Sequence, residues 1–125
     1  MAQQHKVHGY DDLIDCINRI KSDNKPINIY FTGSKDDTGK SWCPDCVEAL
    51  PFVEKALTSS DPNTHFIYCD VGDRPFWKDM KNVFRLDKKT HLSVIPTLIR
   101  WDGPQRLEGE QLLNPELLSM FFSEE

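Results

Sequence analysis

The sequence has no long hydrophobic run: nothing along its 125 residues approaches the roughly 20 apolar residues needed to cross a bilayer. The segment from Met1 to Tyr10 is polar and lacks the apolar stretch of a secretory leader, which sets the expectation of a cytoplasmic protein. A basic excess is missing too. Fifteen Lys and Arg against twenty Asp and Glu leave a net charge of −5, with the cations scattered, so neither nucleic acid nor an anionic membrane is an expected partner. Internal repeats, linkers and low-complexity tracts are absent. At 14.5 kDa there is room for one compact domain, 1–125, and none for a separate regulatory one. The 38% hydrophobic and 28% charged residues are ordinary globular material.

Cysteine is sparse and unevenly placed. Four cysteines make a disulfide framework only in an oxidising compartment, and the leader for one is missing. Cys16 and Cys69 stand alone, on the apolar face of an expected helix and inside an expected strand, so both are expected to be inert core residues. Cys43 and Cys46 form a Cys-x-x-Cys pair, too close in sequence to staple distant segments.

Leu13, Ile14, Cys16, Ile17 and Ile20 recur with helical period and predict a helix over 11–20. Residues 27–31 (Ile-Asn-Ile-Tyr-Phe) predict a strand after the Asn24-Lys25-Pro26 turn. A polar loop, 32–41, leads into Trp42-Cys43-Pro44-Asp45-Cys46 and a helix carrying Val47, Ala49, Leu50, Val53 and Leu57, interrupted by Pro51. Residues 65–71 predict a second central strand, closed by Gly72-Asp73-Arg74-Pro75, and 76–86 a weaker helical segment. A strand over 97–101, an Asp102-Gly103 hairpin turn, a short strand at 105–108 and a helix over 115–122 complete the order. Such an order predicts an α/β fold with a central mixed sheet flanked by helices.

Cys-Pro-Asp-Cys at a helix start has a definite chemistry. With Cys43 as N-cap, Pro44 falls at the first helical position, where its missing N–H costs nothing and its fixed φ suits the helix. Cys46 then shares a face with Cys43, whose sulfur is expected to be exposed and to meet the free N–H groups and the positive dipole end. That favours the thiolate, the form that attacks disulfides. Asp45 opposes it, since one negative charge disfavours a second nearby. The expectation is a moderately lowered Cys43 pKa and a reducing poise. The competing reading of Cys-x-x-Cys is half a zinc site, with His5 and His8 as the other half. Pro44 and the helical period behind it argue for a helix start instead. Residues 33–41 imitate a phosphate-binding loop ending in Gly-Lys-Ser. The first glycine is misplaced for that motif, Asp36 and Asp37 would repel phosphate, and Cys43 occupies the helix start. A loop that shapes access to the cysteines is the preferred reading.

Trp42-Cys43-x-x-Cys46, then Pro51, the strand-ending Asp73-Arg74-Pro75 turn, and Ile95-Pro96-Thr97 before a strand and an Asp-Gly turn resemble the thioredoxins in order, over nearly the whole chain. The resemblance implies a thioredoxin fold with a cis peptide before Pro96. It also implies that the Ile95 backbone presents its N–H and C=O to an extended substrate, while Pro96 keeps metal from the thiols. Residues 31–35, 39–46 and 75–78 narrow the match: they are similar to the 14-kDa thioredoxin-related, Clot-type family. That resemblance implies a thiol–disulfide oxidoreductase with Cys43 as nucleophile and Cys46 as resolving cysteine. Trp42, Pro44, Asp45, Ile95 and Pro96 would contact substrate. The family implies no bound cofactor and no metal, electrons from NADPH through thioredoxin reductase, a monomeric state, and small or exposed disulfides such as cystine as substrates, with nitrosylated or glutathione-capped cysteines as further ones.

The sequence departs from ordinary thioredoxins at two places. The buried Asp and Lys that help deprotonate their resolving cysteine correspond to about Tyr30 and Tyr68, and a phenol of pKa about 10 is a poor base at neutral pH. Asp45, Glu48 or water then takes that role, or resolution is slower. The stretch between Pro75 and Pro96 is also longer, adding material near the active face. The alternative reading is a redox-dependent interaction module that keeps the fold and turns over little.

Overall fold

Residues 27–31 are buried one after another, which a strand achieves only when both faces of its sheet are covered. Ile27, Ile29 and Phe31 enter one apolar cluster and Tyr30 the other, because successive side chains leave a strand on opposite faces. The computed structural model describes residues 1–123. Its strands are β1 (Gln3–His8), β2 (Ile27–Thr32), β3 (His65–Asp70), β4 (Thr97–Arg100) and β5 (Arg106–Glu108). They form one sheet of order β1-β3-β2-β4-β5, with β1 and β2 parallel to β3 and the β4 and β5 pairings antiparallel. The mixed sheet and thioredoxin fold expected from the sequence are therefore present.

The helices are α1 (Gly9–Ile20), α2 (Pro44–Leu57), α3 (Arg74–Lys78), α4 (Val83–Leu86) and α5 (Pro115–Ser123). Leu13, Cys16 and Ile17 of α1 and Phe84 of α4 join the cluster on one face of the sheet. Ala49, Val53 and Leu57 of α2, with Leu118 and Phe121 of α5, fill the other. Complete burial of a side chain such as Phe84 or Leu118 stabilises the fold by about 2–3 kcal/mol.

Two elements differ from expectation. The polar N-terminal segment is strand β1, pairing Gln3 with His65 through to His8 with Asp70. At the sheet edge, only Val7 of its six residues is buried, so the sequence shows no alternation from which a strand could be read. The helical segment of 76–86 is broken into α3 and α4. Asn82 sits between them, 4% exposed, its amide donating to the carbonyls of Trp77 (3.1 Å) and Asp79 (3.0 Å). Arg85 stacks its guanidinium 3.8 Å from the Trp77 ring and donates to the Ser93 carbonyl at 3.2 Å. Polar side chains hold much of this segment, which is why its apolar period is weak.

The register brings several element ends together. Thr32 closes β2 opposite Asp70 of β3, His8 closes β1 opposite the same Asp70, and Thr97 opens β4 opposite Phe31. The loops that follow β2 and β3, and the one that precedes β4, emerge at this end of the sheet.

Candidate active site

Cys43 has extended backbone (φ −91°, ψ 106°) and caps α2, with Pro44 in the first turn. The Cys46 N–H donates to Cys43 Sγ at 3.2 Å, and the Val47 N–H donates to the Cys43 carbonyl at 3.1 Å. Cys43 and Cys46 are joined as a disulfide with Cα atoms 5.2 Å apart. The donated N–H and the aligned peptide dipoles behind it favour negative charge on Cys43 Sγ over the neutral thiol. The sulfur is less open than expected. Cys43 is 5% exposed and Cys46 1%, because both pack into the same apolar cluster as Ile95, with the Trp42 ring against that cluster.

Ile95–Pro96 is a cis peptide. Ile95 and Pro96 are both buried, and the Ile95 carbonyl oxygen lies 4.0 Å from Cys43 Sγ. Trp42 is half-buried, and its Nε1–H donates to the Gly72 carbonyl at 2.8 Å. Pro44 and Asp45 face outward and are exposed. A disulfide closed across the first turn of a helix, beside the Ile95 carbonyl and a tryptophan, is equipped for thiol–disulfide exchange.

A sequence model of the family described as "Thioredoxin domain-containing protein 17-like, thioredoxin domain" matches residues 6–124. Thioredoxin domain-containing protein 17 of Danio rerio is 45% identical over 119 residues, covering 95% of this chain and 94% of the relative. The Homo sapiens protein of that name is 41% identical over 123 residues, covering 98% and 97%. Thioredoxin-like protein Clot of Arabidopsis thaliana is 39% identical, covering 85% of each chain. The chain belongs to the thioredoxin domain-containing protein 17-like family. Among solved structures, reduced Schistosoma mansoni thioredoxin superposes with a TM-score of 0.59 at 18% identity, covering 97% of this chain and 99% of that one, a likeness of fold. With its Cys43–Cys46 pair, this family member is a thiol–disulfide oxidoreductase in the general sense.

In this family member the loop between β2 and α2 turns its polar groups on itself. Lys35 bridges Ser41, and the Asp36 carboxylate accepts from the Thr38 N–H (2.8 Å), the Thr38 hydroxyl (2.5 Å) and, at 3.4 Å, the Lys40 N–H. Thr38, through its hydroxyl first and its N–H next, holds the Asp36 carboxyl below its ordinary value. A phosphate cradle needs those N–H groups free, so this loop is not shaped as one. His5 and His8, weighed as zinc ligands, lie on β1. His5 Nε2 is 3.0 Å from His65 Nδ1, and His8 Nδ1 is 2.7 Å from Asp70 Oδ2. Among the described residues no cluster of three or more His, Cys, Asp or Glu is placed to hold a metal ion.

Tyr30 and Tyr68 do not act as bases here. The Tyr30 hydroxyl donates to the Cys46 carbonyl at 3.3 Å, and burial first, then Tyr68 and Glu54, pushes its pKa well up. Burial and Glu54 likewise raise Tyr68. Sequence reasoning missed Ser41, whose Oγ accepts the Cys43 N–H (3.2 Å) and donates to the Gly33 carbonyl (2.8 Å). A serine bonding the N–H two residues on is a readable local signal. It also missed Gly33, where a Cβ would lie 2.7 Å from the Trp42 ring.

Proposed function

We propose that the protein is a disulfide reductase that acts on small or exposed disulfides such as cystine, as a cytoplasmic single-domain monomer recharged by thioredoxin reductase and NADPH. The observation that carries this reading is the Cys46 N–H donated to Cys43 Sγ at the start of α2, beside the cis Ile95–Pro96 edge. In the reduced protein the Cys43 thiolate attacks one sulfur of the substrate. That S–S bond breaks as the Cys43–substrate bond forms, and the departing thiolate takes a proton. Cys46, losing its proton, attacks Cys43 Sγ and expels the second substrate sulfur as a thiolate, which takes a proton in turn. Two electrons have passed to substrate, and the Cys43–Cys46 disulfide remains for the reductase. Trp42, Pro44 and Asp45 on one side and Ile95 and Pro96 on the other contact the substrate. The Cys46 proton does not go to Tyr30, whose phenol stays protonated and hydrogen-bonded.

Selectivity for small disulfides is supported by the hairpin at 33–41 and the braced segment of α3 and α4, both attached at the sheet end that carries Cys43. A folded protein must bring its backbone into the groove with its disulfide, whereas cystine needs only sulfur access, so extra chain there penalises the larger substrate. The test is NADPH consumption with thioredoxin reductase, using cystine and insulin as alternative substrates. Turnover of cystine in preference to insulin is expected, and replacing 34–40 by a short glycine turn should raise insulin turnover relative to cystine. Redox-dependent capture of a partner without turnover would point instead to an interaction module.

A further inference from the structure

The Trp42 indole is held at a point where two loops meet. Its Nε1–H donates to the Gly72 carbonyl at 2.8 Å, and the Ser34 N–H donates to the same oxygen at 3.0 Å. Gly72 therefore anchors both the tryptophan and the base of the hairpin that precedes it. Its backbone lies at φ +111°, in the region that favours glycine, so its carbonyl direction depends on what holds the turn. One holder is Asp70, at the end of β3: its Oδ1 accepts the Gly72 N–H at 2.9 Å. The other carboxylate oxygen is 2.7 Å from His8 Nδ1, on the neighbouring edge strand. With one oxygen on each partner, the carboxylate has little rotational freedom, and neither partner belongs to the redox pair. Gly33 leaves no space beside the same ring: a Cβ there would lie 2.7 Å from Cε2 and 2.8 Å from Nε1 of Trp42.

We propose that Asp70 is a positioning residue for Trp42: by fixing the Gly72 turn it aims the carbonyl that holds the indole beside Cys43. The consequence for turnover rests on the proposed role of Trp42 as a substrate contact; the positioning itself does not. Asp70→Ala removes the Gly72 acceptor, whereas Asp70→Asn keeps an Oδ1 in the same place. Nitrogen-15 NMR of the three indole N–H groups reads the effect directly, with Trp77 and Trp101 as internal controls.

In Asp70→Ala the Trp42 indole resonance should shift and its solvent exchange accelerate, with the Trp77 and Trp101 signals unchanged. In Asp70→Asn the Trp42 signal should stay near its original position. The KM for cystine in the NADPH-coupled reaction should rise about fivefold in the alanine variant, the factor carried by one ordinary hydrogen bond, with kcat nearly unchanged. Gly33→Ala, whose added Cβ would press on the indole, should displace the same resonance and raise the same KM. If Asp70→Ala does not fold, Asp70→Leu, branched at Cγ as aspartate is and without an acceptor, takes its place. An unshifted Trp42 indole in the folded acceptor-free variant overturns the proposal. A shifted indole with unchanged KM upholds the positioning and overturns Trp42 as a substrate contact.

Discussion

The protein carries two sets of cysteines that burial does not tell apart. Cys43 and Cys46 are 5% and 1% exposed, and Cys16 and Cys69 are both fully buried. What differs is the polar company of the sulfur. Cys43 Sγ receives a backbone N–H at a helix start. Cys16 and Cys69 sit among apolar side chains between α1 and the sheet. Burial raises the Cys69 pKa well above its ordinary value, with Asp70, Asp12 and Cys16 adding to it, and burial raises Cys16 as well. Thiol reactivity is thus set by oriented dipoles at the sulfur, because desolvation alone works against the thiolate.

The largest expected effect separates the two active cysteines. Cys43→Ser should reduce turnover to the uncatalysed level, whereas Cys46→Ser should still attack and then accumulate as a mixed disulfide with substrate, visible by mass spectrometry. Normal turnover by Cys43→Ser would break the mechanism.

Next in size is alkylation of the reduced, folded protein at neutral pH. Iodoacetamide should label Cys43 first and leave Cys16 and Cys69 unmodified over the period in which all four cysteines of the urea-unfolded chain react. The sign follows from the raised pKa values, which keep both core sulfurs as thiols well above pH 7. Rapid labelling of Cys69 in the folded state would erase the contrast.

A smaller effect is expected from Cys69→Ala, which leaves a small void in a filled core and should cost about 1–2 kcal/mol in a urea titration. Turnover per folded molecule should be nearly unchanged. Loss of activity in a well-folded variant would reveal a second dithiol relay.

The smallest effect lies at the other end of the sheet, where His65 Nε2 is 2.7 Å from Asp23 and His5 is packed on His65. Burial first, then the His65 and Arg19 charges, lowers the His5 pKa from 6.5. As pH falls through about 6.5 the unfolded chain therefore takes up protons that the folded one does not, so stability falls as pH falls. Asp23, lowered first by the Lys25 N–H and then by His65, adds stability that is lost as pH falls through its depressed pKa, below the ordinary 3.8. The melting temperature should drop slightly from pH 7 to pH 5, and His5→Gln should flatten that slope.

Much of the site was legible in the order of residues. Cys43 as N-cap, Pro44 at the helix start and Cys46 on the same face follow from local backbone rules that act within a few residues. The burial of Cys16 and Cys69 follows from their place in apolar periods. The nearness of Ile95 and Pro96 to Cys43 came from family resemblance, and the parallel register of β2 and β3 with antiparallel β4 shows how it arises. Strand β1 was hidden, because an edge strand that buries one side chain leaves no alternation to read. The break between α3 and α4 was hidden because Asn82 and Arg85 hold it with hydrogen bonds to backbone carbonyls.

By itself, then, the sequence determined the redox turn of α2 and the two-faced character of the central strands, since both depend on neighbours along the chain. Tertiary structure alone decided that Cys43 is nearly covered, that Tyr30 donates to the Cys46 carbonyl, that His8 meets Asp70, and that the Gly72 carbonyl meets the Trp42 indole. Each of these contacts joins residues remote in sequence, and their meeting is set by sheet register and packing, which no local pattern of residue types encodes.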